Sequence, residues 1–481
     1  MDNHCHKDCD ILPPINGVGF PALTTKNIDA PGYANINKFS SQYYRGESVA
    51  RIDQNNRWMF IQFPYNIAMG PLGTLVALYI LQLGGNAVHV AYAIALSILV
   101  SIPSLILWGK ISDYVEKRKP LIFISYLGVG LTLLGIYMVR NIDDVILIYA
   151  VQSFITAASA APISLLVMEK SEEKKWSHNF SLLQMLSGLG TIVGLVAAFV
   201  ITAFIGGING LLDLTMILAL ASFGAAFLTL KMLKEPESLV KRSSLVQNVD
   251  AFIVRLIMRP LIFLRVPRKS SFKKVFSAIY GADGKSRYLF ILYMIAVLFY
   301  FGTNVFNTEY PVGLKEIGLS ESIVFAVILI GNIIQVLAFL YYDKLVDRKE
   351  TKSVISLSLA GRSIGYILIG VTFLLAGGSM IFGTNLILYP IAAGLAYAIY
   401  YTASSILLFE AIGGSKKGST LGVYSSLISV GSFMGALASG YLSISFGYGP
   451  TFMLAGVMLI FCIFLFRILL GGKKEVIYTK S

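Results

Sequence analysis

Apolar residues run in long blocks along this chain. Blocks of about twenty residues, the length a helix needs to cross a hydrocarbon layer, begin near Trp58, Ala87, Pro120, Val145, Phe180, Leu211, Tyr288, Ser322, Val354, Ile381, Thr420 and Thr451. Short polar or basic segments separate them. Alternating strands of about ten residues, the mark of a transmembrane β-barrel, do not occur in the pattern. It predicts an all-α integral membrane chain of twelve transmembrane helices, numbered here in order.

The blocks also repeat. Glu169, Gly190 and Gly194 recur as Glu410, Gly431 and Gly435, each 241 residues on. Arg57–Ile61 (RWMFI) matches Arg287–Ile291 (RYLFI), and Asp113 in the second loop matches Asp347, at slightly smaller separations. Small insertions in a duplicated unit produce such a drift. Two pseudo-symmetric six-helix bundles follow, a common construction of secondary transporters.

Composition sharpens the class. Of 481 residues 56% are hydrophobic and 14% charged, against roughly a quarter charged in soluble chains; the mean hydropathy is +0.72. The net charge of +13 could point to nucleic acid, but its placement does not. If the N-terminus is cytosolic, the loops facing outward hold only Arg140 and Lys315, and Arg362 lies inside a helix. The other Lys and Arg fall in the tails, the cytosolic loops or the helix ends beside them, the bias that sets topology. Both termini are therefore expected in the cytosol, the chain in the cell membrane, and the excess charge against anionic lipid rather than nucleic acid.

The expected organisation is a cytosolic tail at 1–56, a first bundle at 57–233, a central loop at 234–286, a second bundle at 287–472 and a short basic end at 473–481. The tail holds Pro13, Pro14, Pro21 and Pro31 and no signal-peptide core. In the central loop, Phe252, Ile253, Leu256, Ile257 and Leu261 share a helical face beside Arg255, Arg259, Arg265 and Arg268. That composition predicts an interfacial helix broken at Pro260, lying on the inner leaflet or packed beneath the bundle. No disulfide is expected. His4–Cys9 (HCHKDC) is too tightly clustered for an ordinary zinc site, and Asp143–Asp144 stands without a catalytic domain around it. Neither metal, cofactor nor enzyme chemistry is expected.

The loop after helix 2 reads WGKISDYVEKRKP, with Gly109, Asp113, Lys117 and Arg118; its counterpart YYDKLVDRKETK supplies Asp347 and Arg348. The first segment resembles the signature loop of the major facilitator superfamily, although Tyr114 and Glu116 depart from the usual Arg and Gly. With twelve helices and the repeat, the resemblance covers roughly residues 57–472. It implies that Asp113 and Arg118, echoed by Asp347 and Arg348, form a charge latch with the adjacent half, closing the cytosolic side in the outward-facing state. Glu169 and Glu410 are their expected partners. Two motifs of proton-coupled drug exporters are missing. No Lys or Arg occurs between Arg140 and Lys170, and helix 5 has Gly188, Gly190 and Gly194 but no proline; those glycines suit close helix packing.

The same resemblance makes helices 1, 4, 7 and 10 the cavity walls. Their polar and aromatic residues are Gln62, Tyr65 and Asn66; Gln152, Ser153 and Thr156; Tyr300, Asn304 and Asn307; and Tyr397, Tyr400 and Tyr401. Amides and phenols suit an uncharged or amphipathic solute; hydrogen bonding between helices would use them too. Proton coupling usually requires a buried carboxylate. Helices 1, 4 and 10 have none centrally. Glu309, near the outer end of helix 7, is the acidic candidate, or else an exposed loop residue; Asp213 is a weaker one. Arg362 lies ten residues after Lys352, about 15 Å deep. It is either functional or, since helix 9 is usually peripheral in the family, a partner in a structural ion pair or a water-filled niche.

The expected protein is a monomeric carrier of a small organic solute by alternating access, with protons as the coupling ion to test. Export is favoured. A sugar or metabolite importer, a lipid or glycolipid flippase and a non-transporting sensor are the alternatives.

Overall fold

The computed structural model describes residues 54–115, 117–170, 176–234, 284–341, 351–375, 378–411 and 417–471. Within them are twelve helices long and apolar enough to cross a membrane. In the first half these are α1 (Asn56–Gln82), α2 (Ala87–Ser112), α3 (Lys119–Met138), α4 (Ile142–Glu169), α5 (Asn179–Phe204) and α6 (Gly207–Met232). In the second they are α7 (Ile291–Glu316), α8 (Glu321–Leu340), α9 (Ser353–Leu375), α10 (Met380–Ser405), α11 (Tyr424–Phe446) and α12 (Tyr448–Arg467). Odd-numbered helices run away from the face where α1 begins, here the terminal face; even-numbered ones return from the far face. The tail, the central-loop helix, the His4–Cys9 cluster, Asp347 and Arg348 lie outside the described residues.

The turns carry the repeat as plainly as the helices do. Gly84 ends α1 at φ 86° and Gly318 ends α7 at φ 90°, the left-handed region that favours glycine. Asn141 caps α4, its side chain accepting from Asp143 N at 3.4 Å. Asp143 and Asp144 occupy the first turn of that helix, where negative charge opposes the helix dipole. That position accounts for the acidic pair.

Packing within each half is the same list of partners. In the first, α1 meets α5, α2 meets α4 and α3 meets α6; in the second, α7 meets α11, α8 meets α10 and α9 meets α12. The repeated glycines explain the closest of these. A Cβ on Gly190 would lie 2.3 Å from the Phe63 carbonyl oxygen, and one on Gly194 2.3 Å from that of Ile67. On α11, Gly431 abuts the Val297 carbonyl and Gly435 that of Phe301 at 2.6 and 2.3 Å. Small residues are what allow helix backbones to meet in a membrane, and here they do so twice at matching positions. The halves join through α2 with α11 and α5 with α8, which are themselves a symmetric pair. Large apolar side chains such as Phe199 and Val200 of α5 and Leu220 and Phe227 of α6 point outward and exposed, as surfaces solvated by lipid do.

Candidate functional site: an uncharged cavity, a far-face seal and two buried ionisable side chains

α1 opens in a 3-10 stretch, Gln54–Ile61, and continues in two α-helical pieces, Gln62–Met69 and Leu72–Gln82, separated at Gly70–Pro71. Its α-helical pieces, with α2, α4 and α5, line a cavity of about 270 Å³. Of the expected cavity residues, Gln62, Tyr65, Asn66, Gln152, Ser153 and Thr156 line it, joined by Ser101 of α2, Tyr149 of α4 and Gln184 and Ser187 of α5. No lining side chain is charged. Some of the polar groups bond each other. Gln62 Oε1 accepts from Tyr126 Oη at 3.1 Å and from Asn66 Nδ2 at 3.3 Å. Tyr65 Oη faces the hydroxyls of Thr156, Ser159 and Ser125, while Gln152 Oε1 is buried with no hydrogen-bond partner. An unmet buried polar group costs about 1–3 kcal/mol, so Gln152 Oε1 at the cavity wall is placed to meet a ligand or water.

The second-half residues do not line this cavity: its walls are α1, α2, α4 and α5. Tyr400 is a packing residue, 3% exposed with its ring stacked on Phe299 at 3.7 Å. Asn304 bonds the Tyr300 carbonyl at 2.8 Å. Tyr397 and Tyr401 are half-buried neighbours, rings 5.8 Å apart, and Asn307 is exposed. The second half is filled instead by a stack of Phe306, Tyr310, Tyr366, Tyr389 and Phe452. Ser101, Gln184 and Ser187 were absent from the sequence reading; the polar spacing on α5 beside its glycines was the available signal.

At the end of α2, Gly109 is buried and Lys117 exposed. Arg118 meets Glu169 at 2.9 Å and the Ser112 carbonyl at 2.6 Å. These three residues all belong to the first half, so the bonds staple α2 and α3 to α4 rather than to the opposite bundle. Asp113 and Glu410 are helical, but their side chains lie outside the described residues.

Among the described residues, Gln82 and Tyr92 of the first half bond the second half at the far face. Gln82 Nε2, ending α1, donates to Glu321 Oε1 at the start of α8. Lys315 Nζ of α7 holds the same oxygen at 2.7 Å, with the Glu321 side chain 5% exposed. The hydroxyls of Tyr92 on α2 and Tyr441 on α11 meet, and Gly440 lies so close to α2 that a Cβ there would be 2.8 Å from the Ala87 carbonyl. The far side is thus closed in this conformation. Sequence reading did not find this seal, because each partner is a common helix-end residue and only the fold brings them together.

Glu309 is not an exposed loop residue. It lies within α7 at 0% exposure, with Oε1 accepting from Ser439 Oγ of α11 at 3.1 Å and Oε2 unpartnered. Asp213 is exposed. Arg362 is 1% exposed. Among the described residues it has no ion pair; three aromatic rings and the Ala392 carbonyl stand around it.

A family model for the Major Facilitator Superfamily matches residues 58–369 and again 289–480, each match beginning in one of the two halves. The chain belongs to the major facilitator superfamily. It is accordingly a multi-pass membrane protein and a secondary transporter of small solutes, not an enzyme. No curated protein matches it. Similar solved structures include the nucleoside transporter NupG, 14% identical over 87% of this chain and 99% of that one at a TM-score of 0.60. A structure from a study of proton-dependent oligopeptide transporters is 12% identical over 87% and 98%, at 0.64. The xylose transporter XylE from E. coli, in a partially occluded inward-open conformation, is 14% identical over 85% and 96%, at 0.55. At these identities the likeness is one of fold. It agrees with the two symmetric bundles.

Proposed function

We propose that this transporter moves a small organic solute rich in hydroxyl or amide groups, bound in the first-half cavity, by alternating access between the two bundles. The observation that carries the reading is a cavity whose amides and hydroxyls are uncharged, with Gln152 Oε1 on its wall unpartnered. A site with such groups favours a ligand that pairs them and rejects one that leaves them unmet. Export was expected from an apolar, tyrosine-bearing cavity. Amides and hydroxyls set among apolar side chains such as Met69, Leu105, Ile163 and Phe180 suit an amphipathic exported solute and an imported sugar or metabolite alike, so the flux assay decides the direction. The structural neighbours that move nucleosides and xylose handle solutes of this chemistry. With the terminal face cytosolic, as the charge distribution indicates, the sealed far face makes this the inward-facing state.

The test is counterflow of labelled pentoses, hexoses and nucleosides in proteoliposomes, for the unaltered chain and for Gln152→Ala and Thr156→Val. Each substitution removes one hydrogen bond and weakens apparent affinity about threefold to tenfold. Affinity unchanged by both would refute the assignment of the cavity. Binding without flux would make the chain a sensor.

A further inference from the structure

Arg362 heads the fully buried side chains by size, and a guanidinium carries its charge wherever it sits. A buried cation normally has a counter-charge, and no carboxylate of the described residues pairs with this one. Around it stand the rings of Phe299, Tyr366 and Tyr397, at 5.5, 5.1 and 4.9 Å from Cζ. Nη1 donates to the Ala392 carbonyl at a long 3.3 Å. Aromatic faces and one long bond offset only part of the cost of removing a cation from water. Tyr366 Oη, one helical turn on, faces the Arg362 guanidinium and Thr303 of α7, but Nε itself has no partner.

The surroundings are rigid. Ala392 lies in a π-helical segment of α10, Pro390–Leu395, a distortion that often marks functional sites. The segment is pressed onto its neighbours: a Cβ on Gly394 would lie 2.6 Å from the Gly331 carbonyl, and one on Gly365 2.4 Å from Ala392 Cβ. Of the three rings, Phe299 and Tyr366 are fully buried and Tyr397 alone keeps exposed surface. An approaching group therefore meets Tyr397 first.

We propose that Arg362 is an anion-binding residue of the second half, taking a singly charged group past Tyr397, first of all a carboxylate on the transported solute. The inference rests on the carrier reading above and narrows it to hydroxylated acids. A guanidinium recognises a carboxylate through paired N–H donors, and the free Nε is such a donor. A free halide is the other source of the same charge.

The experiment measures thermal unfolding of the purified full chain, titrated with matched solutes: glucose against glucuronate and ribose against ribonate, with and without chloride. The acid of each pair is expected to bind about tenfold or more tightly than its neutral partner. Arg362→Gln abolishes that difference. Stabilisation by chloride alone, lost in Arg362→Gln while acids do no better than neutral solutes, supports the anion site with halide as its source. An acid preference and a chloride response unchanged in Arg362→Gln overturn the proposal, as does an unaltered chain that responds to neither. Should the Gln variant not fold, Arg362→Lys decides. It keeps the charge and loses the planar fork, so the preference falls severalfold; an unchanged preference is again a refutation. Gln152→Ala acts on both members of a pair alike, so failure of the cavity assignment reads out separately from failure here.

Discussion

Replacing Gly194 by alanine tests the reason the repeated glycines exist. The added Cβ would stand 2.3 Å from the Ile67 carbonyl oxygen and 3.0 Å from Pro71 Cδ. Carbon–oxygen contacts settle at about 3.3–3.6 Å, so the shortfall is about 1 Å, and it falls on backbone, which cannot swing aside as a side-chain tip can. α5 must then part from α1 or tilt against it. Overpacking of this kind costs about 1–3 kcal/mol, from which alanine's better helix propensity recovers about 0.5–1 kcal/mol. A net loss of about 1–2 kcal/mol is expected. Gly224 of α6 is the control, since its Cβ would meet nothing within 4 Å and only the propensity gain remains. Unfolding midpoints of the two variants in one detergent, followed by tryptophan fluorescence, should place Gly194→Ala below the unaltered chain and Gly224→Ala at or above it. Gly194→Ala melting as high as Gly224→Ala would refute the close-packing argument. Gly435→Ala, against the Phe301 carbonyl, should repeat the result in the second half.

Three further outcomes follow from the geometry. Glu321→Gln weakens the far-face seal by removing the charge shared by Gln82 and Lys315. A hydrogen bond to a charged group contributes about 1.5–3 kcal/mol, so a cysteine placed at Ala87 should react about tenfold or more faster with an impermeant thiol reagent; an unchanged rate counts against the seal. Glu309→Gln keeps the size and the Ser439 contact but removes the ionisable oxygen. If Glu309 couples protons to transport, accumulation driven by a pH gradient is lost while counterflow continues, and gradient-driven accumulation at the unaltered level ends that role. Arg118→Ala breaks the ion pair to Glu169 and the 2.6 Å bond to the Ser112 carbonyl; a hydrogen bond to a charged group contributes about 1.5–3 kcal/mol, so the unfolding midpoint should fall, and an unchanged midpoint would show that the staple to α4 holds nothing.

The membrane class and the two bundles were legible because they depend on quantities a sequence carries: apolar run length, charge between runs, and residue identity at a repeated spacing. Gly190 with Gly431 and Gly194 with Gly435 were visible as repeats, and the fold gives each pair the same task. The resemblance assigned Gln62, Tyr65, Asn66, Gln152 and Thr156 to a cavity, and these five line one in the first half. The same resemblance assigned Tyr400, whose ring packs on Phe299, because residue type does not reveal which face of α10 turns there. Glu309 could be read as buried or exposed, since a helix end near an interface serves both.

Sequence alone, then, determined the solvent, the helix count and the duplication, because each reflects local composition against a fixed hydrocarbon thickness. Tertiary structure alone decided that one half holds a polar cavity and the other an aromatic stack. It also decided that Gln82 reaches Glu321, and that Arg362 lies among rings with no acid beside it. Those relations join residues far apart in the chain, and only the packing of helices against one another sets their distances.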